Sequence, residues 1–370
     1  MVLLTPWAAL AAPADGPPES LGGGKYRVTV SSKIHTIDRI YRSMQGPTDN
    51  SDFQFGAEGS HELLWLTAFR VDVVDTDRNA LTSQEYLCHS HLKFDPNVYD
   101  SKKHNARLEN LTHQEEKMVT LIQGRTNVAL PAGFGIPFYS DEPFEFHAMV
   151  INSKMPQRPF RIKTEAVFDY YKDREIKRPL KPLFRRSFSV TVPLEGEFKG
   201  PHCPIESGVD AGITPQIFEA DAKAVETSQG LIFKNKEGKE LSFHWYVPPG
   251  RHSYRSTMPL GLDLPFDTTV HHISIHLHPY GESLELRDLT TGKTIFKSRA
   301  TNYRDRLGIA NSTCYSSGRG IPVYKDHQYE LVGTYNNRSS GDIDAMAVMY
   351  LYFFDKSFDD SKVQLTNAGE

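Results

Sequence analysis

Between Val270 and Tyr280 the chain reads Val-His-His-Ile-Ser-Ile-His-Leu-His-Pro-Tyr. On a strand, successive side chains point to opposite faces. His272, Ser274, His276 and His278 would therefore share one face, and His271, Ile273, Ile275 and Leu277 the other. Alternate side chains stand nearly parallel on a pleated strand, so two neutral imidazoles two residues apart can reach one metal ion. Imidazole suits zinc, copper, iron and nickel alike, and a half-buried strand with a wet polar face would show the same alternation. The pair needs a third ligand. Asp344–Phe354, with its run of Ala-Met-Ala-Val-Met-Tyr-Leu-Tyr, has a strand's composition and puts Met346, Val348, Tyr350 and Tyr352 on one face, opposite Ala347, Met349, Leu351 and Phe353. A methionine there is ordinarily core filler.

A second histidine cluster lies in the first half. In Glu85–Phe94, His89 and His91 share a face opposite Tyr86, Cys88, Ser90, Leu92 and Phe94. His147, on a strand whose Phe144, Phe146, Ala148 and Val150 face away from it, could supply a third imidazole. His35, His61, His104, His113, His202, His244, His252 and His327 have no partner at ligand spacing and read as surface or satisfied core histidines.

The elements that must hold these residues are short β-rich runs separated by Gly, Pro, Asn and Asp, the clearest being 63–74, 85–94, 118–123 and 144–152. This pattern predicts an all-β chain of antiparallel sandwiches, with one short helical turn over Asn110–Lys117. At 370 residues the chain is long enough for two separate cores. The expected division is 1–24 as an apolar, signal-like segment and a Gly/Pro-rich linker, 25–178 as a first sandwich, and 179–370 as a second. Lys172–Arg186, charged and Pro-containing, reads as the solvated connector, and Leu194–Gly238 as a turn-rich insertion.

A formal charge of −4 offers no basic field for nucleic acid. Three cysteines, Cys88, Cys203 and Cys314, lack zinc-ribbon spacing and allow at most one internal disulfide. No segment reads as a transmembrane span, and the signal-like start makes a secreted or periplasmic location the expectation. There is no phosphate loop, no Gly-x-Ser-x-Gly and no His-Glu-x-x-His. The acidic pairs Asp141-Glu142 and Asp359-Asp360 sit beside turn formers and read as solvated.

His-Leu-His at 276–278, then Thr334-Tyr-Asn-Asn, then Asp-Ala-Met at 344–346 and an aromatic strand resemble the C-terminal domain of the copper type II, ascorbate-dependent monooxygenases. That family includes peptidylglycine alpha-hydroxylating and dopamine beta-monooxygenases. The resemblance spans roughly residues 60–355 and is strongest over 243–355. It implies two jelly-roll sandwiches packed side by side, with His276, His278 and Met346 holding the catalytic copper and Tyr350 lining the substrate pocket. His89, His91 and His147 would hold the electron-donating copper, giving two coppers per chain that face each other across an open cleft. Ascorbate would supply electrons, and the partners would be dioxygen and a small-molecule substrate.

The chain departs from the family in three ways. Where the family has adjacent histidines this chain has His89-Ser-His91, it is poorer in cysteine, and Ser274 and Val348 stand where the peptide-acting members have an arginine and an asparagine that hold a carboxylate. Neither residue can make that charged contact, so a less charged substrate is implied. Two other readings of the residues remain, a copper-binding sandwich without catalysis and a jelly-roll hydrolase of the peptide-N-glycanase type that works with carboxylates.

Overall fold

The computed structural model describes residues 12–41, 45–57, 59–101, 108, 110–193, 223–227, 230–234, 240–258 and 262–358. Sixteen strands carry the architecture. They are β1 (Lys25–Ser31), β2 (Thr48–Gln54), β3 (Leu63–Asp75), β4 (Leu87–Phe94), β5 (Lys117–Ile122), β6 (Phe134–Tyr139), β7 (Phe144–Val150) and β8 (Phe160–Lys172), then β9 (Lys181–Ser189), β10 (Gly250–Met258), β11 (Thr268–Leu277), β12 (Gly281–Asp288), β13 (Lys293–Asn302), β14 (Tyr315–Val323), β15 (Tyr329–Asn337) and β16 (Ala347–Phe354).

The first sandwich packs β2-β7-β4-β5 against β1-β8-β3-β6, and the second packs β9-β16-β11-β14 against β10-β15-β12-β13. In each, the chain passes back and forth between facing sheets, and the pairings within each sandwich are antiparallel, which makes both of jelly-roll type. Alternation drives this. In β3, β4 and β8 one face is mostly apolar, with Leu66, Phe69, Leu92, Phe94, Ile162 and Phe168 among its residues, and these side chains join the first core, as where Phe69 of β3 stacks on Phe168 of β8 at 4.8 Å. A second core gathers Phe188, Trp245, Ile273, Ile275, Leu284, Leu331 and Tyr335.

The two sandwiches share more than a contact. β6 pairs in parallel with β9 at Phe134↔Lys181 and Gly135↔Pro182, so one sheet runs from β1 to β14 through both. β16 lies within it with both faces covered. Val348, Tyr350 and Tyr352 belong to the first core, whereas Ala347, Met349, Leu351 and Phe353 belong to the second. The two faces are those read from the alternation, except that Met346 falls in a break between the short strand Ile343–Ala345 and β16.

Several expectations are corrected. A bulge between Val270 and His272 shifts the register of β11 against both neighbours, so His271 leaves the Ile273/Ile275 row. Its ring lies 4.1 Å from that of Phe134 and bonds the Ser317 carbonyl at 2.9 Å. A second bulge, where His89 faces Met149 but Leu87 faces Val150, puts Leu87 in the core in place of Cys88. Residues 110–116 form no helix. Thr112, Gln114 and Glu115 instead bond Asp355 and β9, at 2.6 Å for Thr112 N to Asp355 Oδ2 and 2.8 Å for Ser187 N to Glu115 Oε1, and these bonds override local preference.

The stretch read as a solvated connector contains β9, an interior strand on which Arg185 is 1% exposed. The Gly-rich linker is a hairpin in which Glu19–Gly22 pairs with β1, and Gly22, Gly23 and Gly24 take left-handed φ values that other residues resist. Glu142, read as solvated, is buried and accepts from Tyr139 N at 2.7 Å. Residues 1–11, His104, His202, Cys203, most of the 194–238 insertion and Asp359-Asp360 lie outside the described residues. Cys88 is buried, Cys314 is exposed, and the two are not bridged.

Candidate metal centre

The back faces of the two sandwiches meet in a layer of polar side chains. On the first, His89 and His91 stand two residues apart on β4, and His147 sits on β7 directly across from His91. Cross-strand neighbours on one face are as close as alternate residues on one strand, so the three rings form a triangle with centroids 4.8, 5.4 and 5.4 Å apart. One ring nitrogen of each lies within 4.8 Å of the others. Two of the rings are steered from behind, His91 Nδ1 by Thr120 Oγ1 at 3.0 Å and His147 Nδ1 by Asn50 Oδ1 at 2.6 Å. Such backing fixes ring orientation in metal sites. Burial first, and then neighbouring His147 and Lys117, push His89 and His91 well below the ordinary imidazole range. The rings stay neutral, the form that ligates.

On the second sandwich, β11 carries His276, and His278 follows just past the strand's end. The His278 amide is held by Tyr335 Oη at 3.2 Å and by the Met346 carbonyl at 3.3 Å, which ties the His-Leu-His corner to the break before β16. The His276 and His278 rings are 5.1 Å apart and perpendicular. His276 Nδ1 is buried without a hydrogen-bond partner, and burial, with His278 and His244 beside it, holds this ring well below its ordinary range.

A cleft of ≈ 60 Å³ joins the two faces, lined by His89 and His91 from one side and by His276, His278, Met346 and Tyr350 from the other. Arg185, Lys117 and Ser187 complete much of its wall. The volume holds an ion and a water or two, well short of the several hundred Å³ of a typical ligand pocket. Of the seven residues named from sequence, six line this one cleft, and His147 stands behind His91.

Three residues of this region, Asp344, His244 and Arg185, escaped sequence reading. Asp344 places its carboxylate between His278 Nδ1, 2.9 Å from Oδ2, and His244 Nδ1, 3.3 Å from Oδ1. Burial alone would push this carboxyl up, yet His278 and His244 outweigh it and hold it well below the usual carboxylate range. His244 lies just ahead of Trp245–Val247, which pairs with Ile343–Ala345, so a pairing between segments about 100 residues apart makes the contact. Arg185 also went unread. Its guanidinium lies 4.6 Å from the Tyr350 ring centroid and bonds the Lys117 carbonyl and Thr120 Oγ1.

A double jelly-roll with two imidazole clusters on one cleft is the class that this geometry defines. No family model and no curated protein matches the chain. Among solved structures, it is similar to a peptide-N(4)-(N-acetyl-beta-D-glucosaminyl) asparagine amidase at 6% identity and TM-score 0.34, covering 90% of this chain and 98% of that one. PNGase F, a glycosylasparaginase from Flavobacterium meningosepticum, aligns at 5% identity and TM-score 0.30, covering 89% and 96%. The major capsid protein P2 of bacteriophage PM2 aligns at 10% and 0.27, covering 88% and 97%. At these scores the likenesses bear on neither mechanism nor substrate. Among the described residues no helix is long and apolar enough to cross a membrane.

Proposed function

We propose that the chain is a copper-dependent monooxygenase that hydroxylates a C–H bond of a small organic substrate, with dioxygen as oxidant and ascorbate as reductant. The observation that carries this reading is that both histidine clusters, Met346 and Tyr350 meet at one cleft. The donor sets suit copper differently. His276 and His278 with the Met346 thioether favour the soft Cu(I) ion, whereas His89, His91 and His147 offer three imidazoles that serve both oxidation states. Copper bound there would supply one-electron chemistry and dioxygen activation at the thioether side.

The protein's own residues do the rest. Burial pushes the Tyr350 hydroxyl well up although Arg185 pulls it down, so this group stays protonated and can donate to a substrate. Arg185 is engaged by the Lys117 carbonyl, Thr120 and the Tyr350 ring, and Ser274 is uncharged, so among the described cleft residues no uncommitted guanidinium is left for a substrate carboxylate. The cleft's small volume favours a substrate that is itself small or that enters from the mouth.

A metal-free hydrolase of the peptide-N-glycanase type is the second reading, and Glu115 is the observation in its favour. This carboxyl is buried behind the cleft wall, accepts from Ser187 Oγ at 2.9 Å, and is pushed up by burial despite Arg185 and Arg186. Copper content separates the readings. About two ions per chain with ascorbate-dependent oxygen consumption is expected; one ion without consumption would point to a non-catalytic binder, and none to the hydrolase.

A further inference from the structure

Asp344 belongs to neither ligand set proposed above, yet its carboxylate sits between two imidazoles beside the cleft. Among the described residues its only ionic partners are the two imidazoles of His244 and His278. Asp344 is half-buried but its Oδ2 is fully so, and a buried carboxylate oxygen without a cation is costly. The geometry is more telling than the distances. His278 Nδ1 and Asp344 Oδ2 approach to 2.9 Å, but the carboxylate oxygen has no partner in hydrogen-bonding direction. His278 Nδ1 and Asp344 Oδ2, close without a hydrogen bond between them, are arranged as ligands of a common third atom are, while His244 Nδ1 keeps a hydrogen bond to Asp344 Oδ1 that a bound ion would replace. On a tetrahedral ion with bonds near 2.0–2.1 Å, adjacent nitrogen and oxygen ligands stand about 3.3 Å apart, close to the 2.9 and 3.3 Å found here.

His244 is 5% exposed and its Nε2 is buried without a partner. Its backbone is pinned by a bond from its own amide to Ser242 Oγ at 3.0 Å, and Asp344 is registered across from Tyr246 in the paired strand. One donor atom from each of His244, His278 and Asp344 lies within 4.8 Å of the others, so a small inward movement of the two rings closes the set.

We infer that His244, His278 and Asp344 form a binding site for a divalent ion of the zinc type, with two imidazoles, one carboxylate and a fourth position open to water. The site shares His278 with the copper set and excludes His276 and Met346. A carboxylate in place of a thioether selects a harder, divalent ion over Cu(I), so the corner around His278 offers two alternative coordination modes.

The test uses the full chain, stripped of metal, with His89→Ala and His91→Ala to dismantle the other cluster, titrated with Co2+ as an optical probe and then with Zn2+. One equivalent of Co2+ with the visible absorption of a four-coordinate site is expected, displaced by Zn2+. Asp344→Asn, nearly isosteric, is expected to weaken binding about 10-fold or more, as is His244→Ala, whereas Met346→Leu leaves it unchanged. A rise in Tm on adding Zn2+, lost in Asp344→Asn, gives a second readout. No bound Co2+, affinity indifferent to Asp344→Asn, or an equal loss in Met346→Leu would each overturn the site. The copper reading is judged separately, by the copper content of the unsubstituted chain, so failure of one is not failure of the other.

Discussion

At the scale of single residues, the histidines divide by what lies behind them. His91 and His147 each have a ring nitrogen held from behind, whereas His272 is 1% exposed with both nitrogens unpartnered. Burial, with Arg125 adding to it, pushes His272 down to about 4. In the unfolded chain the same ring protonates near 6.5. Between those values the unfolded state binds the extra proton, so stability present above pH 6.5 is lost as the pH falls toward 4, on the order of 3 kcal/mol in all. Urea unfolding at pH 7 and pH 5 should show a slope of this sign, to which the depressed His89, His91 and His276 also add, and His272→Leu should lessen it; an unchanged slope in the variant would place the acid sensitivity elsewhere. Met346 makes a complementary prediction. Met346→Leu keeps volume and fold, and is expected to abolish ascorbate-dependent oxygen consumption and weaken Cu(I) retention. Full turnover in that variant would remove Met346 from the site.

At the scale of elements, β9 is the strand whose sequence misleads most. Lys181–Ser189 carries a lysine, a proline and two arginines, yet it lies inside the sheet, where the two terminal nitrogens of Arg185 bond the Lys117 carbonyl and Thr120 and its guanidinium lies over the face of Tyr350. Glu115, 4% exposed, lies 3.9 Å from its guanidinium. Removing one partner of a buried pair strands the other, at a cost of about 3–5 kcal/mol. Arg185→Met should therefore lower the urea midpoint sharply, and Arg185→Met with Glu115→Gln should recover much of the loss. If the double variant is no better than the single, the stranded carboxylate is not the cause. Composition cannot reveal a buried arginine, because the partners that make it tolerable come from Lys117, Thr120 and Tyr350, far away in sequence. The alternation in β16 was legible for the opposite reason, since a period of two is local. The bulges at Cys88 and His271 have no Gly or Pro to mark them, so both residues were assigned to the wrong face. His89, His91, His276 and His278 could be read because spacing on a strand places alternate residues on one side, and Met346 and Tyr350 were named through the family resemblance; His244 and Asp344 could not be read, because only strand pairing joins them.

At the scale of the whole molecule, the two sandwiches are not independent. The first core includes Leu183 from β9 and Val348, Tyr350 and Tyr352 from β16, and the long sheet passes from one half to the other at β6 and β9. Heat or urea should thus unfold both halves in one transition, followed by Trp65 in the first half and Trp245 in the second, each isolated by replacing the other and Trp7 with Phe. Separate midpoints would show the halves to be uncoupled. β16 adds a consequence in time. A chain emerging from the ribosome folds its early segments first where they can close on themselves, but here the strand that seals both cores comes at residues 347–354. The first sandwich, complete in all its own strands by residue 172, would still show an open flank while roughly half the chain remained to be translated. Its back face, with the histidine cluster, would stand uncovered for that interval, so neither histidine cluster could gain its neighbour across the cleft before β16 had been synthesised.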